Sequence, residues 1–261
     1  MNHVVNFSGG VGSYMAAKRV IAKYGVENTT LLFCDTLIED EDLYRFLDDA
    51  EKKLGLKITR ISEGRTPWEL FFDEKMMGNS RVDLCSRVLK RELADNWYDA
   101  NCDRSDTVCY VGIDWTEVHR FDDGEGRGVK NAKALLGWKY EAPMCDAPLL
   151  TKTEMLEELV TDGIATPRLY DMGFPHNNCG GFCVKAGQAS FARLLQYFPD
   201  RYMEHAMNEL AFRTINMKNV SIMRDRRDGG NEPMTLLEFK ARVESGDLYD
   251  KYDFGGCGCF I

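Results

Sequence analysis

Short β-branched apolar runs alternate with segments of helical periodicity through the first half of this chain, and few architectures accept that pattern. Residues 3–7, 29–34, 57–61 and 107–113 each read as a buried strand. Between them, residues 14–24 and 41–54 carry apolar side chains at helical spacing, as in Leu43, Phe46, Leu47, Ala50 and Leu54. Strand–helix alternation over short connections implies an α/β fold, a parallel twisted sheet with helices on both faces. Ligands of such sheets bind at the carboxyl ends of the strands. The loop after Phe7, the Cys34-Asp35-Thr36 segment and the Gly112-Ile113-Asp114 segment all fall at such ends.

From Thr151 the pattern becomes mainly helical. Thr151-Lys-Thr153-Glu-Met-Leu-Glu-Glu-Leu reads as a capped helix, with acids after Thr153 that suit the helix dipole. Residues 188–197 and 201–212 are expected to be helical, and Thr235-Leu-Leu-Glu238 is a capping-box start. The acidic, glycine-containing residues 121–128 are expected to form a mobile loop. The expected organisation is an α/β domain over residues 1–150. A helical, cysteine-containing region over 151–261 packs on it and ends in a flexible tail, G-G-C-G-C-F-I.

No run is long enough to span a bilayer and no secretory pattern opens the chain, so a cytoplasmic protein without a membrane partner is expected. The net charge of −9 argues against a surface that tracks a nucleic-acid backbone throughout, while leaving room for a local basic groove. Arg87-Val-Leu-Lys90-Arg91 and Arg224-Asp-Arg226-Arg227 are the local basic clusters; such mixtures are usually solvated faces. Nine cysteines in a reducing compartment are not expected to form disulfides. Cys34, Cys102, Cys109 and Cys145 sit singly in or near apolar stretches and read as small core residues. Cys85, Cys179, Cys183, Cys257 and Cys259 lie in glycine-rich or polar contexts and call for another explanation.

The loop N-F-S-G-G-V-G-S, Asn6 to Ser13, places three glycines and two serines between an expected strand and an expected helix. Backbone N–H groups at such a helix start attract an anion. Gly9 and Gly10 can take positive φ, and the Ser8 and Ser13 hydroxyls can add hydrogen bonds. Neither the Walker A nor the dinucleotide-binding glycine pattern is present, so on glycines alone a phosphate site and a plain tight turn compete equally.

The wider sequence bears on that choice. S-G-G-V-G-S resembles the PP-loop, S-G-G-x-D-S, of the ATP pyrophosphatase (adenine nucleotide α-hydrolase) superfamily, with Gly12 in place of the usual aspartate. Within it the chain is most similar to the phosphoadenosine phosphosulfate (PAPS) reductase-like family. F-C-D-T-L-I-E-D-E-D-L-Y at 33–44, C-S-R-V-L-K-R at 85–91 and V-G-I-D-W-T-E-V-H-R at 111–120 follow in the family's order. The resemblance covers residues 3–198 and implies a Rossmann-like fold of the adenine nucleotide α-hydrolase type. It implies that Ser8, Gly9, Gly10, Gly12 and Ser13 hold a phosphate or sulfate of ATP or PAPS, with Gly112 beside them and Asp35 near the nucleotide or its metal. Lys90, Arg91 and Arg120 would be cationic partners of phosphate or sulfate oxygens, Lys90 and Arg120 within the catalytic group. Glu117 would orient Arg120 or bind Mg²⁺, against the plain alternative of a surface carboxylate.

His176-Asn-Asn-Cys179-Gly-Gly-Phe-Cys183 sets two thiols four residues apart around two glycines, which lets both approach one metal. Cys85 stands where cluster-bearing reductases place a cysteine pair, with Leu84 as the other position. The resemblance therefore implies a [4Fe–4S] cluster on Cys85, Cys179 and Cys183, with Cys259 or Cys257 as fourth ligand or an open iron position; Zn²⁺ and unligated thiols are the alternatives. His176 is a ligand, a substrate contact or a plain hydrogen-bonding residue.

PAPS reductases carry a nucleophilic cysteine on a C-terminal segment, usually within E-C-G-L-H, which is absent here. Cys257 and Cys259 on the glycine-rich tail are equally candidates for that catalytic part. The expected function is an adenine-nucleotide-dependent sulfurtransferase that releases pyrophosphate and passes sulfur from a donor protein or thiol to a tRNA, DNA or small-molecule acceptor. The alternatives are a sulfonucleotide reductase using a tail cysteine and a thiol reductant, and a non-catalytic nucleotide- or metal-binding module.

Overall fold

The computed structural model describes residues 1–79 and 81–256, so Cys257 and Cys259 lie outside the described residues. The chain begins with β1 (Asn2–Asn6), α1 (Val11–Tyr24), β2 (Thr29–Asp35), α2 (Glu41–Leu54), β3 (Ile58–Ser62) and α3 (Pro67–Asp73). A continuous helical run follows, α-helical at Leu84–Ser86, π-type over Arg87–Glu92 and α-helical again as α4 (Leu93–Asn101). Strands β4 (Thr107–Tyr110) and β5 (Lys139–Glu141) complete the sheet. All neighbours in the sheet are parallel, in the order β3-β2-β1-β4-β5. The expected parallel α/β fold is therefore observed, and it is Rossmann-like in its strand order.

Period-two alternation divides the strand residues between two cores. Val5, Leu31, Phe33, Val108 and Tyr110 face a core shared with α1, α2 and α5 (Lys152–Thr161). Val4, Leu32, Cys34 and Cys109 face a second core that includes Ala94 and Tyr98 of α4, with Trp138. Both faces of the sheet are thus covered, which is why its strands read as continuous apolar runs. A third core joins α3 and the 84–89 segment to α6 (Gln188–Tyr197), α7 (Pro199–Asn216) and α8 (Leu236–Glu244). Packing crosses residue 150 in both directions: Met155 and Leu159 lie in the first core, Trp68, Phe71 and Leu89 in the third. Inside that third core Trp68 Nε1 donates to His205 Nδ1 at 2.9 Å, and burial lowers the imidazole to about 3, so it stays neutral.

Several boundaries differ from the sequence-based expectation for physical reasons. The fourth strand stops at Tyr110, because beyond it only the Val111 amide, donating to Glu141, continues the pairing. Helix α1 starts at Val11, three residues early, directly on the glycine loop. The cap of α5 is Thr151, not Thr153: Thr151 and Glu154 form the reciprocal capping box. Residues 121–128 run irregularly between short helical turns, with Asp123 accepting from the Arg127 amide and side chain. Among the described residues no helix is long and apolar enough to cross a membrane.

Asp162, just after α5, ties three helices together. It accepts from Tyr14 Oη at 2.9 Å and Lys18 Nζ at 2.5 Å of α1, and Lys53 of α2 lies 3.5 Å away. Burial opposes its ionisation, but the Lys18 and Tyr14 hydrogen bonds and the two lysine charges outweigh burial and hold the carboxyl below its ordinary 3.8. A lowered carboxyl stabilises the fold above its ordinary range, and that stabilisation is lost as pH falls through the folded-state value. Asp162→Asn should therefore lower stability at neutral pH by about 1–2 kcal/mol. Denaturant titrations should show the gap to the wild type closing below about pH 4.

Candidate functional site

The sheet order reverses direction between β1 and β4, and a cleft opens at the carboxyl ends of these strands. This is the switch point at which parallel α/β sheets bind ligands. The cleft encloses about 720 Å³ including its open mouth, and its walls include Ser8, Gly10, Gly12, Gly112, Glu117 and Arg120. Buried Asn6 anchors its floor: it accepts from Tyr98 Oη at 2.9 Å and donates to the Tyr110 carbonyl at 3.1 Å, fixing β1, β4 and α4 together.

The glycine loop folds tightly upon the start of α1. Gly9 adopts φ +78°, and an added Cβ there would come within 2.8 Å of Leu43. Gly10 is the extended N-cap of α1, without a capping side chain. Ser13 Oγ donates to the Gly10 carbonyl at 2.7 Å and accepts from the Ser8 amide at 3.1 Å, so this hydroxyl closes the loop upon itself. Two elements from later in the chain cover the loop: the Val11 amide donates to Tyr170 Oη at 3.1 Å, and Asn177 Nδ2 donates to the Gly9 carbonyl at 2.9 Å.

Gly12, where the PP-loop has aspartate, has a packing cause. An added Cβ would lie 2.7 Å from the Gly112 carbonyl, and a Cβ on Gly112 would lie 2.5 Å from the Ser13 amide nitrogen. The two glycines let the start of α1 and the segment after β4 touch backbone to backbone.

Arg120 and Glu117 face the cleft as a pair, with Nη1 of the arginine 2.6 Å from Oε1 of the glutamate. Arg120 Nε is buried and has no hydrogen-bond partner among the described residues. Asp35 is turned away: its carboxylate accepts from Tyr44 Oη and from the Leu37 amide, and it is not part of the cleft wall. Arg91 pairs with Asp83 at 2.8 Å, also away from the cleft.

Lys90 lies neither on the cleft wall nor on a solvated helix face. The π-type turn carries both Leu89 and Lys90 inward, and Lys90 is only 4% exposed. Its ammonium lies 3.8 Å from Cys179 Sγ and 3.7 Å from Glu39 Oε1. It shares a mainly apolar pocket with Cys85, Cys179 and Cys183, so the three thiols expected to act together do line one space. Among the described residues no three His, Cys, Asp or Glu side chains converge closely enough to hold a single metal ion.

The other cysteines are different. Burial pushes the Cys34 and Cys109 thiols up to about 12 and Cys145 to about 11, and it raises Cys102, so these four stay protonated at neutral pH.

Residues 176–179 connect the two spaces. His176, Asn177 and Asn178 line the cleft, while Cys179, in a left-handed conformation at φ +53°, lines the thiol pocket. A small chamber walled by Phe174, His176, Asn178, Cys183, Phe254 and Gly256 lies between them. Sequence reasoning missed Glu39, Asp40, Tyr170 and Asn177. For Asn177 a signal existed, its place within the cysteine motif two residues before Cys179.

Comparison with protein-family models and with curated proteins finds no match for the chain. Fold and site together define a Rossmann-like α/β protein with a cleft at the switch point and a separate pocket lined by three thiols.

Gly12→Ala should cost about 1–3 kcal/mol, because the α1 start and the Gly112 segment must separate. Thermal denaturation of Gly12→Ala beside Gly64→Ala, where an added Cβ meets nothing within 4 Å but φ is +103°, separates overlap from backbone strain. Lys90→Met should cost about 3–5 kcal/mol by leaving Glu39 buried without its ammonium, and adding Glu39→Gln should recover part of that loss in urea titrations.

Proposed function

We propose that the chain binds an adenine nucleotide in the switch-point cleft and uses it for sulfur chemistry. The favoured reaction is ATP-dependent activation followed by sulfur transfer. The observation that carries this reading is S-G-G-V-G-S seated between β1 and α1 at the switch point, with its backbone amides and Arg120 on the cleft and three thiols one short segment away. The acceptor's oxygen attacks the α-phosphorus of ATP and pyrophosphate leaves. A sulfur nucleophile then attacks the acceptor carbon, and AMP departs with the oxygen.

On this reading the Val11 and Gly12 amides and Arg120 hold phosphate oxygens, the guanidinium adding charge-assisted hydrogen bonds. Glu117 orients Arg120 or takes Mg²⁺. Cys85, Cys179 and Cys183 are the residues that would hold a [4Fe–4S] cluster, which supplies a site for sulfur, with Lys90 offsetting its negative charge. The acceptor is a tRNA, a DNA or a small molecule, and the sulfur comes from a donor protein or a thiol.

One observation favours a second reading, a reductase of PAPS or adenosine phosphosulfate. The end of the described chain is pinned beside the thiols. Gly256 N donates to the Lys185 carbonyl at 3.1 Å, Ala189 N to the Asp253 carbonyl at 2.8 Å, and Gly256 lines the chamber shared with Cys183. The tail cysteines Cys257 and Cys259 follow directly in sequence.

Anaerobically purified protein decides among these. The transferase should be brown and release pyrophosphate from ATP when an RNA or DNA acceptor is present, whereas sulfite release from PAPS with a thiol marks the reductase. Colourless protein that binds neither nucleotide is the outcome that removes both. Arg120→Ala should weaken nucleotide binding roughly 10- to 100-fold by calorimetry, the loss expected for charge-assisted hydrogen bonds. Cys179→Ala should abolish the colour without changing nucleotide affinity.

A further inference from the structure

The cleft and the thiol pocket share no wall residue, yet one carboxylate is tied to both. Asp40 is the N-cap of α2 and is fully buried. It accepts two hydrogen bonds from Arg168, at 2.7 and 2.9 Å, one from Arg201 at 2.9 Å and one from the Asp42 amide at 3.0 Å. Burial opposes its ionisation, but the two guanidinium groups hold the carboxyl below its ordinary value.

Each arginine leads to a different site. Arg168 opens the helical turn Arg168–Asp171, whose Tyr170 accepts from the Val11 amide at the phosphate loop. Arg201, on α7, uses the same Nη1 that contacts Asp40 to donate to the Gly180 carbonyl at 2.7 Å. Gly180 is the residue after Cys179, and it sits so close to the loop before α2 that an added Cβ would be 2.6 Å from the Ile38 carbonyl. The neighbouring acid acts on the same turn, since Glu39 accepts from the Cys179 amide.

We infer that Asp40 is a positioning residue that couples occupancy of the cleft to the conformation of the Cys179–Gly181 turn. The inference rests on the nucleotide reading above. An anion at the start of α1 competes with the Tyr170 hydroxyl for the Val11 amide, so binding displaces the turn that carries Tyr170 and Arg168. Buried Asp40 cannot release either guanidinium without leaving charge uncompensated, so it moves with Arg168 and carries Arg201 and the Gly180 carbonyl along. Nucleotide arrival thereby changes how Cys179 is presented to the thiol pocket.

Hydrogen–deuterium exchange of the whole chain, with and without ATP and then PAPS, tests this. In the wild type, nucleotide should slow exchange of a peptide covering 8–13 and change exchange of a peptide covering 179–186 by at least ~5-fold, the lower end of ordinary coupling between sites. Arg201→Gln should keep the first response and lose the second. Arg168→Gln, cutting the link on the other side, should do the same, which guards against damage confined to α7. A thiol-segment response that persists in both variants, or a wild type that responds at 8–13 but not at 179–186, overturns the inference and leaves the nucleotide reading standing. A wild type without any response at 8–13 to either nucleotide overturns the nucleotide reading, and the coupling falls with it.

Discussion

Two adjacent carboxylates just before α2, Glu39 and Asp40, are buried, and the surroundings of both pockets are arranged to satisfy them. Burying an ionised carboxylate is tolerable only when most of its lone pairs meet donors. Asp40 recruits Arg168, Arg201 and the first turn of α2; Glu39 recruits the Thr36 hydroxyl at 2.9 Å, the Cys179 amide and the Lys90 ammonium. These partners come from segments far apart in the chain, so satisfying one dipeptide draws the 168–171 turn, the cysteine turn, α7 and the π-type segment onto the carboxyl edge of the sheet. The thiol pocket exists because these charges must be met there.

The cleft depends on a different constraint, the absence of two Cβ atoms. Gly12 and Gly112 meet at a distance no other residue permits, which brings the segment after β4 and its Glu117–Arg120 pair up to the start of α1. An aspartate at position 12 and this approach are mutually exclusive without a shift of backbone. The acidic side chains on the cleft wall come from Asp114 and Glu117, across the switch point.

Those parts of the fold that depend on local pattern were legible in the sequence. The division of Val4 from Val5, and of Leu32 and Cys34 from Leu31 and Phe33, follows from the two-residue period of a strand covered on both sides. The convergence of the loop after β1 with the Gly112 segment followed from the rule for parallel sheets. What was not legible is what a charge meets. Lys90 and Arg91 look alike in C-S-R-V-L-K-R, but a wider helical turn turns Lys90 inward to Glu39 and Cys179 and leaves Arg91 on Asp83. Asp35 was expected near the nucleotide or its metal, and nothing in the sequence marks Tyr44 as the donor to its carboxylate. Asp40 attracted no notice within I-E-D-E-D, because its partners Arg168 and Arg201 stand 128 and 161 residues away. The three-residue β5 is too short for any period to show.

The placement of counter-charges also bears on what the cleft can accept. The net charge is −9, and four cations around the sites sit against anions: Arg120 has Glu117, Lys90 has Glu39, and Arg168 and Arg201 share Asp40, while Lys152 on the cleft wall donates to the Pro175 carbonyl. On the proposed reading, recognition of phosphate falls to short-range donors, the α1 amides, Lys152 and the buried Nε of Arg120. A triphosphate entering beside Asp114 and Glu117 meets repulsion unless a cation accompanies it. On the proposed reading, a Mg²⁺-bound nucleotide therefore suits this cleft better than a bare one: Glu117 would hold the metal, which would offset the phosphate charge, and Arg120 would supply charge-assisted hydrogen bonds to the phosphates.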